Sequence, residues 1–567
     1  MDLIIIFSVI VVLVAAFFAI NAISENNKKK RFRNRLQRTF GQFSRTEPNH
    51  DKMKSAKGYF LHHMDDSKFI ADEITWNDLE GDALFASMNK CYSSAGEEIL
   101  YYMLRTPDVT GDENRKKDFL SELDALEADE KTRLDLQIIF AILGKTGKYS
   151  VFDYISLLGN VKPVKPVIFV VFWIIYLAIA AFFFVSAPFA AAFLSVFAIG
   201  CMIFYFSQKK TVERYITSFE YIVRTIVTAE SVIKLNPKGF EKEVEELKSL
   251  RKELKGIKPS TLVFIKQSTR SGNADLMSSA MSLGNAFFHF DLFCFYRLLS
   301  QVVSKAKEYD RMFEILGGIE AKISVLNFKC AFENTCEPTF TDDNKMSADS
   351  IFHPLIENCV ENSFCVERGM VITGSNASGK STFLRTVLIN CLLAQTVYVS
   401  TSKEFVLRPS FIFSSLSLKD SLASGESYYM AEINSIKRIL NARDSGNRVI
   451  CFLDEVLRGT NTVDRIAAAT EILENLSGET IITFAATHDI ELTRLLEKKY
   501  DNYFFREEIL RNDEGKEDIY FSYKINTGIS DTRNALQLLK LMGYPPEVVD
   551  KAENLAHGFL ETGKWRV

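Results

Sequence analysis

The sequence predicts an α/β domain at its C-terminal end, an all-α region ahead of that domain, and three membrane-spanning helices. Three observations carry the prediction. Residues 3–23 and 167–207 contain no charged side chain. The soluble stretches between them and residue 333 follow helical periodicity. After about residue 350 the pattern changes to short apolar runs alternating with helices, the signature of an α/β domain.

Composition bounds what this chain does. It has 567 residues, and at roughly 150 residues per domain the length suggests about four structural units. Lys+Arg is 68 and Asp+Glu is 72, a formal net charge of -4. A globally basic nucleic-acid binder is thereby excluded, although a local basic face is not. Charged residues at 25% and hydrophobic residues at 47% exclude a mostly disordered chain. The nine Cys are scattered and form no CxxC pair, which disfavours zinc and redox motifs and fits a reducing compartment.

The first apolar run, 3–23, is long enough to cross a bilayer. It is followed by Lys28, Lys29, Lys30, Arg31, Arg33, Arg35 and Arg38. A cleaved signal peptide carries its basic cluster on the other side, so a signal anchor with its N-terminus outside is expected. The run 167–207 is broken at Ser186-Ala187-Pro188 and reads as a hairpin of two spans, 167–185 and 188–207. Lys162 and Lys165 precede it and Lys209 and Lys210 follow it, which places both ends in the cytoplasm. A helical hairpin buried in a soluble core is the alternative. No Asp, Glu, Lys, Arg or His lies within the runs, which argues for an anchor over a transporter. The basic run 28–38 is accounted for as a topology determinant; contact with nucleic acid or anionic lipid is the second reading.

Residues 24–160 and 209–333 read as helical. Within the second, 239–258 is densely charged, with Val244, Leu247, Leu250 and Leu254 on one narrow stripe. It suits half of a helical arm or an ordinary surface helix. Residues 275–328 read as one or two long helices, and the polar stretch 334–350 as a linker.

The sharpest signal is GSNASGKST at 374–382, a G-x-x-x-x-G-K-[ST] match between the strand-like 370–373 and the helix-like 383–394. Such a loop wraps backbone N–H groups around phosphate oxygens at a helix N-terminus. Lys380 is expected on the β- and γ-phosphates and Ser381 on Mg²⁺. A second apolar strand, 448–453, ends in Asp454 and Glu455. The first acid suits the metal side, and the second suits a carboxylate that polarises the attacking water. A third strand, 480–486, ends in Thr487-His488-Asp489, and His488 is expected to sense the γ-phosphate. Residues 421–432 (SLASGESYYMAE) form a Ser/Gly-rich turn before a helix. They suit either a phosphate contact or a plain N-cap by Ser424 or Ser427.

With these residues in view, the chain resembles the MutS family of DNA mismatch-repair ATPases. The resemblance is carried by His353-Pro354, the P-loop with Asn376, SLASGESYYMAEI at 421–433, FLDEVLRGTNTVDR at 452–465 and ATHDIEL at 486–492. The stretch 524–555 is similar to the family's final helix-turn-helix, and 78–107 to the start of its core domain. The resemblance implies that Gly374, Ser375, Asn376, Ala377, Ser378, Gly379, Lys380, Ser381 and Thr382 bind ATP and Mg²⁺. It implies that Asp454 holds the metal, that Glu455 activates water and that His488 contacts the γ-phosphate region. It places Ser427 in trans on a partner's ATP and Asp464 at the dimer seam. The family's mismatch-reading domain is expected to be missing, because only about fifty residues separate the first span from the core-like segment.

The fold class that follows is an α/β P-loop NTPase (ABC-like) domain, preceded by an all-α core and lever region, with three transmembrane helices. The expected divisions are an anchor at 1–23, a helical region at 24–160, a hairpin at 161–208, a lever region at 209–345 and the ATPase with its helix-turn-helix at 346–567. The expected function is a membrane-anchored, homodimeric ATPase that binds DNA, held in the inner or plasma membrane with its ATPase in the cytoplasm. The alternative is a membrane-bound ATP-driven switch acting on protein or lipid without DNA. An ABC-type exporter subunit fits less well, for want of an LSGGQ-like signature and of further spans.

Overall fold

The computed structural model describes residues 24, 26–65, 68–147, 150, 152–153, 164–257, 283–375, 378–416, 428–511, 517–529, 536, 539 and 542–562. Its strands, in chain order, are β1 (Thr339–Phe340), β2 (Met346–Ile351), β3 (Asn362–Val366), β4 (Gly369–Thr373), β5 (Glu404–Leu407), β6 (Phe411–Ser415), β7 (Val449–Asp454), β8 (Ile481–Thr487), β9 (Tyr500–Phe504), β10 (Glu507–Arg511), β11 (Glu517–Phe521) and β12 (Asn526–Thr527).

The apolar runs at 370–373, 448–453 and 480–486 are neighbouring strands of one sheet, ordered β12-β9-β4-β8-β7-β6. All its pairings are parallel except β12 on β9. Every residue of β4 and β8 is buried, as expected where helices cover both faces of a parallel sheet. The register aligns Thr373 with Thr487 and Asp454 with Ala486. The loops after β4, β7 and β8 therefore leave the same sheet edge together. Ligands bind at this carboxyl edge in open α/β sheets.

A second sheet, β1-β5-β2-β3, flanks the first. It corrects the linker expected at 334–350. Met346, Ala348 and Ile351 are buried while their neighbours are not. That alternation forms β2, and the polar residues between hide it from a reading based on composition.

The N-terminal helices and the ATPase sheet share one apolar core, running from Trp76, Leu104 and Leu316 to Leu388 and Ile450. The short Glu73–Asp78 helix ties the two parts together. Asp72 caps it by accepting the Thr75 N–H at 2.8 Å and pairs with Arg438. Buried Asp78 accepts the Ser414 hydroxyl at 2.7 Å and the Leu416 N–H at 2.9 Å. Its carbonyl accepts Arg385 Nε from the Lys380–Thr396 helix at 3.1 Å.

The charged stripe at 239–258 forms the Glu241–Glu253 helix, with Val244, Leu247 and Leu250 buried. Arg251 pairs with Glu230 and Arg311 with Glu246, so it is a packed surface helix. The Phe/Leu-rich stretch divides into the Phe290–Ser304 and Ala306–Lys329 helices. His289, left-handed at φ 57°, starts the first, and residues 275–282 lie outside the described part.

One helix, Ala187–Leu235, runs for 49 residues, about 74 Å at 1.5 Å per residue. Its lower half is buried in the helical region through Phe219, Ile222, Ile226 and Val232. Its upper half pairs with the Val167–Phe182 helix into an apolar hairpin. Residues 287–296 pack against its base, where Trp173 Nε1 donates to the Phe288 carbonyl and Tyr205 donates to Asp291, but its outer faces and its turn stay exposed. Val196 is 73% exposed and Phe184, at the turn, 96%. The alternative of a hairpin buried in a soluble core is thus not what the structure contains. The expectation of three spans is also trimmed. Among the described residues one segment, Ala187–Lys209, is long and apolar enough to cross a membrane. Val167–Phe182 has 16 residues, about 24 Å, because the chain turns at 183–186 instead of continuing to 185. Residues 3–23 lie outside the described part.

Candidate nucleotide site

The loop after β4 turns back on itself through two glycines in backbone regions that L residues rarely adopt. These are Gly374 at φ 143° and Gly379 at φ 104°. A Cβ on Gly374 would lie 2.7 Å from the Phe505 carbonyl oxygen. The loop ends where Lys380 opens the Lys380–Thr396 helix, so its backbone N–H groups point toward the loop. Ser378 Oγ donates to the Ser375 carbonyl at 2.7 Å. The ring of Tyr523 lies against Gly379.

Lys380 is 3% exposed. Its ammonium donates to the Gly374 and Ser375 carbonyls, at 2.6 and 2.8 Å, and lies 3.5 Å from His488 Nε2. Burial holds its pKa below the ordinary lysine value, and the nearby Asp454 and Glu455 partly offset that.

The strands deliver the acids as their register requires. Ser381 Oγ donates to Asp454 Oδ2 at 2.5 Å. Asp454 Oδ1 is buried with no hydrogen-bond partner among the described residues. Burial pushes the Asp454 carboxyl up, while the Ser381 hydroxyl pulls it down. A buried carboxylate oxygen with no donor is unfavourable unless something else satisfies it. A hydroxyl and a carboxylate in contact, with that oxygen open, fit a hard divalent cation.

Glu455 follows in a left-handed turn, at φ 52°. Its N–H donates to the Ala486 carbonyl at 2.9 Å, which fastens it to β8. Its carboxylate lies 2.8 Å from His488 Nε2 and 3.0 Å from Arg458 Nε. The His488 hydrogen bond holds the Glu455 carboxyl below its ordinary value, against burial. The two adjacent acids are thus pushed in opposite directions, the arrangement that separates metal-side and base roles.

The structure therefore brings Gly374, Ser375, Ser378, Gly379, Lys380, Ser381, Thr382, Asp454, Glu455 and His488 to one sheet edge. Asn376, Ala377 and Ser427 lie outside the described residues, as do 421–427 of the Ser/Gly-rich segment and 530–535, 537–538 and 540–541 of the helix-turn-helix expected at 524–555; the Pro546–Thr562 helix covers the end of that stretch. Asp464 is exposed in the first turn of the Thr462–Asn475 helix, its N–H bound to the N-cap side chain of Asn461 at 3.0 Å.

Three contributors escaped the sequence reading. Arg458 pairs with Glu455. Arg465 forks onto Asp489 at 2.8 and 2.7 Å. Buried Glu432 accepts the Leu457 N–H. All lie within or next to the motifs already singled out, but their pairings join residues 3 to 25 positions apart, and motif order does not express them. Glu455, Arg458, Arg465, His488 and Asp489 help line a cleft of about 190 Å³ beside the loop.

Residues 370–560 match the family model for MutS domain V. The DNA mismatch repair protein MutS of Thermotoga maritima is 34% identical over 248 residues, covering 42% of this chain and 30% of the relative. That of Desulfovibrio desulfuricans is 35% identical over 246 residues, 41% of this chain and 26% of the relative. That of Thermosynechococcus vestitus is 29% identical over 307 residues, 52% and 34% respectively. The chain thus spans about a third or less of the length of these relatives. The match to the family model is confined to residues 370–560, about a third of the chain, while the alignments to the relatives are longer, at 246 to 307 residues.

Proposed function

We propose that this chain is a membrane-anchored MutS-like ATPase that binds and hydrolyses ATP as a dimer and binds DNA. One observation supports this above the others: Ser381, Asp454, Glu455 and His488 converge on the P-loop at the ends of three adjacent parallel strands. In this reading the triphosphate draws the Lys380 ammonium off the Gly374 and Ser375 carbonyls, and the loop N–H groups receive its oxygens. Ser381 and Asp454 would hold Mg²⁺, which when bound neutralises phosphate charge. Glu455, kept ionised by His488, accepts a proton from the attacking water. The water oxygen bonds to the γ-phosphorus as the bond to the β-bridging oxygen breaks, leaving ADP and phosphate. Ser427 reaches the partner protomer's ATP, and Asp464 lies at the seam between the two.

DNA as partner rests on the similarity to proteins named for DNA mismatch repair. The exposed apolar hairpin supports integration in the cell membrane, with 3–23 as a further span and the ATPase on the cytoplasmic side. A second reading, an ATP-driven switch acting on protein or lipid without DNA, is favoured by the Ala187–Leu235 helix. That helix joins the hairpin directly to the helical core.

The experiment is ATP turnover and DNA binding by the full-length protein in nanodiscs. Duplex, mismatched and branched DNA are compared at several salt concentrations. Binding that weakens steeply with salt supports the first reading. Turnover with indifference to every DNA at low salt supports the second.

A further inference from the structure

Glu432 sits in the Tyr428–Asp444 helix, and its side chain does more than fill space. It is 4% exposed, and its carboxylate accepts the N–H of Leu457. Leu457 belongs to the turn that follows β7. Two of that turn's residues, Glu455 at φ 52° and Leu457 at φ 59°, are left-handed without being glycine. Such conformations persist only where the surroundings impose them, and they concentrate at functional sites. On one side the Glu455 N–H to Ala486 ties the turn to β8. On the other side Glu432 holds it.

Packing alone does not call for a carboxylate here. Burial raises the Glu432 pKa, against the pull of the backbone N–H groups it accepts. Its second oxygen, Oε2, is buried without a hydrogen-bond partner among the described residues. An apolar side chain would fill the volume without that penalty. What the carboxylate supplies is an acceptor reaching a specific amide two residues beyond Glu455.

We infer that Glu432 is a positioning residue for ATP hydrolysis: by accepting the Leu457 N–H it fixes the turn from which Glu455 meets the attacking water. The inference rests on the ATPase reading above. Glu432 is buried on the far side of the turn from β8 and is not among the residues that converge on the P-loop, so its loss is expected to act on turnover and not on nucleotide affinity.

The test compares full-length wild type with Glu432→Ala, Glu432→Gln and Glu432→Asp. It measures kcat, the dissociation constant of a fluorescent ATP analogue and the thermal midpoint. A displacement of about 1 Å at a reacting group is worth about a hundredfold in rate. Glu432→Ala is therefore expected to lose about that much kcat while its dissociation constant stays unchanged. Glu432→Gln keeps an oxygen acceptor and is expected to retain most turnover. Glu432→Asp, one methylene shorter, is expected to fall between. Should Glu432→Ala fail to fold, the Gln and Asp variants carry the same test. Full kcat in Glu432→Ala or Glu432→Asp overturns the inference, and so does a Gln variant as impaired as the Ala variant. A folded wild type without Mg²⁺-dependent turnover overturns the ATPase reading beneath it, and the inference with it.

Discussion

His488 Nε2 lies 2.8 Å from Glu455 Oε1. The contact spans two strands, since His488 follows β8 and Glu455 follows β7, and the register between them closes it. A hydrogen on Nε2 is donated to the carboxylate, which stabilises its charged form. This bond is the largest influence lowering the Glu455 carboxyl, with Arg458 and Lys380 adding to it, and under the proposed mechanism it helps aim that carboxylate.

The first prediction concerns that pH range. The Glu455 carboxyl is held below the ordinary glutamate value, chiefly by His488. A depressed carboxyl remains a base until the pH falls through its lowered value. The acid limb of the kcat profile is therefore expected below the ordinary carboxylate range. In His488→Ala the limb is expected to move up toward it. A limb that stays in place in the variant contradicts the role given to His488.

Under the proposed mechanism Glu455→Gln removes the base and preserves shape. A positioned general base contributes about 10²–10⁴-fold, and kcat is expected to drop by about that much. Nucleotide affinity is expected to hold, because the P-loop contacts are untouched. Parallel turnover and equilibrium-binding measurements separate the two.

Asp454→Asn probes a trade between stability and function. Burial raises the Asp454 carboxyl, and Oδ1 has no donor. A neutral amide is easier to bury. Without nucleotide, the variant's chemical-denaturation stability is expected to equal the wild type's or exceed it by about 1 kcal/mol. Its Mg²⁺-dependent turnover is expected to disappear.

His353 gives a prediction about acid stability. It is 3% exposed, and its pKa is lowered to about 4 by burial, with smaller contributions from Arg385 and Arg45. In the unfolded chain it titrates near the ordinary value of about 6.5. Between those values the unfolded state holds the extra proton, so this group's contribution to stability falls as pH falls, by at most about 1.4 kcal/mol per pH unit. Glu320, raised to about 7 by burial, acts oppositely in nearly the same window. The informative quantity is thus the difference between wild type and His353→Asn. That difference is expected to shrink as pH falls from about 6.5 toward 4 and to stay constant above 7. A difference independent of pH contradicts the assignment.

The Asp78 joint gives a prediction about the domain interface. Asp78→Ala leaves the Ser414 hydroxyl and the Leu416 N–H without their buried acceptor. Losing such an acceptor costs about 1–3 kcal/mol per group left unsatisfied. Denaturation should show a loss of about 2–4 kcal/mol, while Asp78→Asn, which keeps one oxygen, should lose less.

How much of this was legible in the sequence depends on the range of the interaction. The P-loop, Asp454-Glu455 and His488 announce themselves because each sits at the end of a continuous apolar run, and parallel strands bring such ends to one edge. The apolar hairpin is equally plain, since lack of charge is a local property. Strand β2 was hidden because its buried Met346, Ala348 and Ile351 are spaced among polar residues. The left-handed break at His289 has no glycine to mark it. The Glu432–Leu457 and Asp78–Ser414 bonds join residues that periodicity cannot relate. They are properties of packing, and only the folded chain displays them.

The most direct measurement is steady-state ATP hydrolysis by the full-length protein in nanodiscs, with and without Mg²⁺, beside its Lys380→Ala and Glu455→Gln variants. The account predicts Mg²⁺-dependent turnover in the wild type. It predicts loss of both binding and turnover in Lys380→Ala, and binding without turnover in Glu455→Gln. Normal hydrolysis in Glu455→Gln, or a folded wild type that binds no ATP, would contradict it.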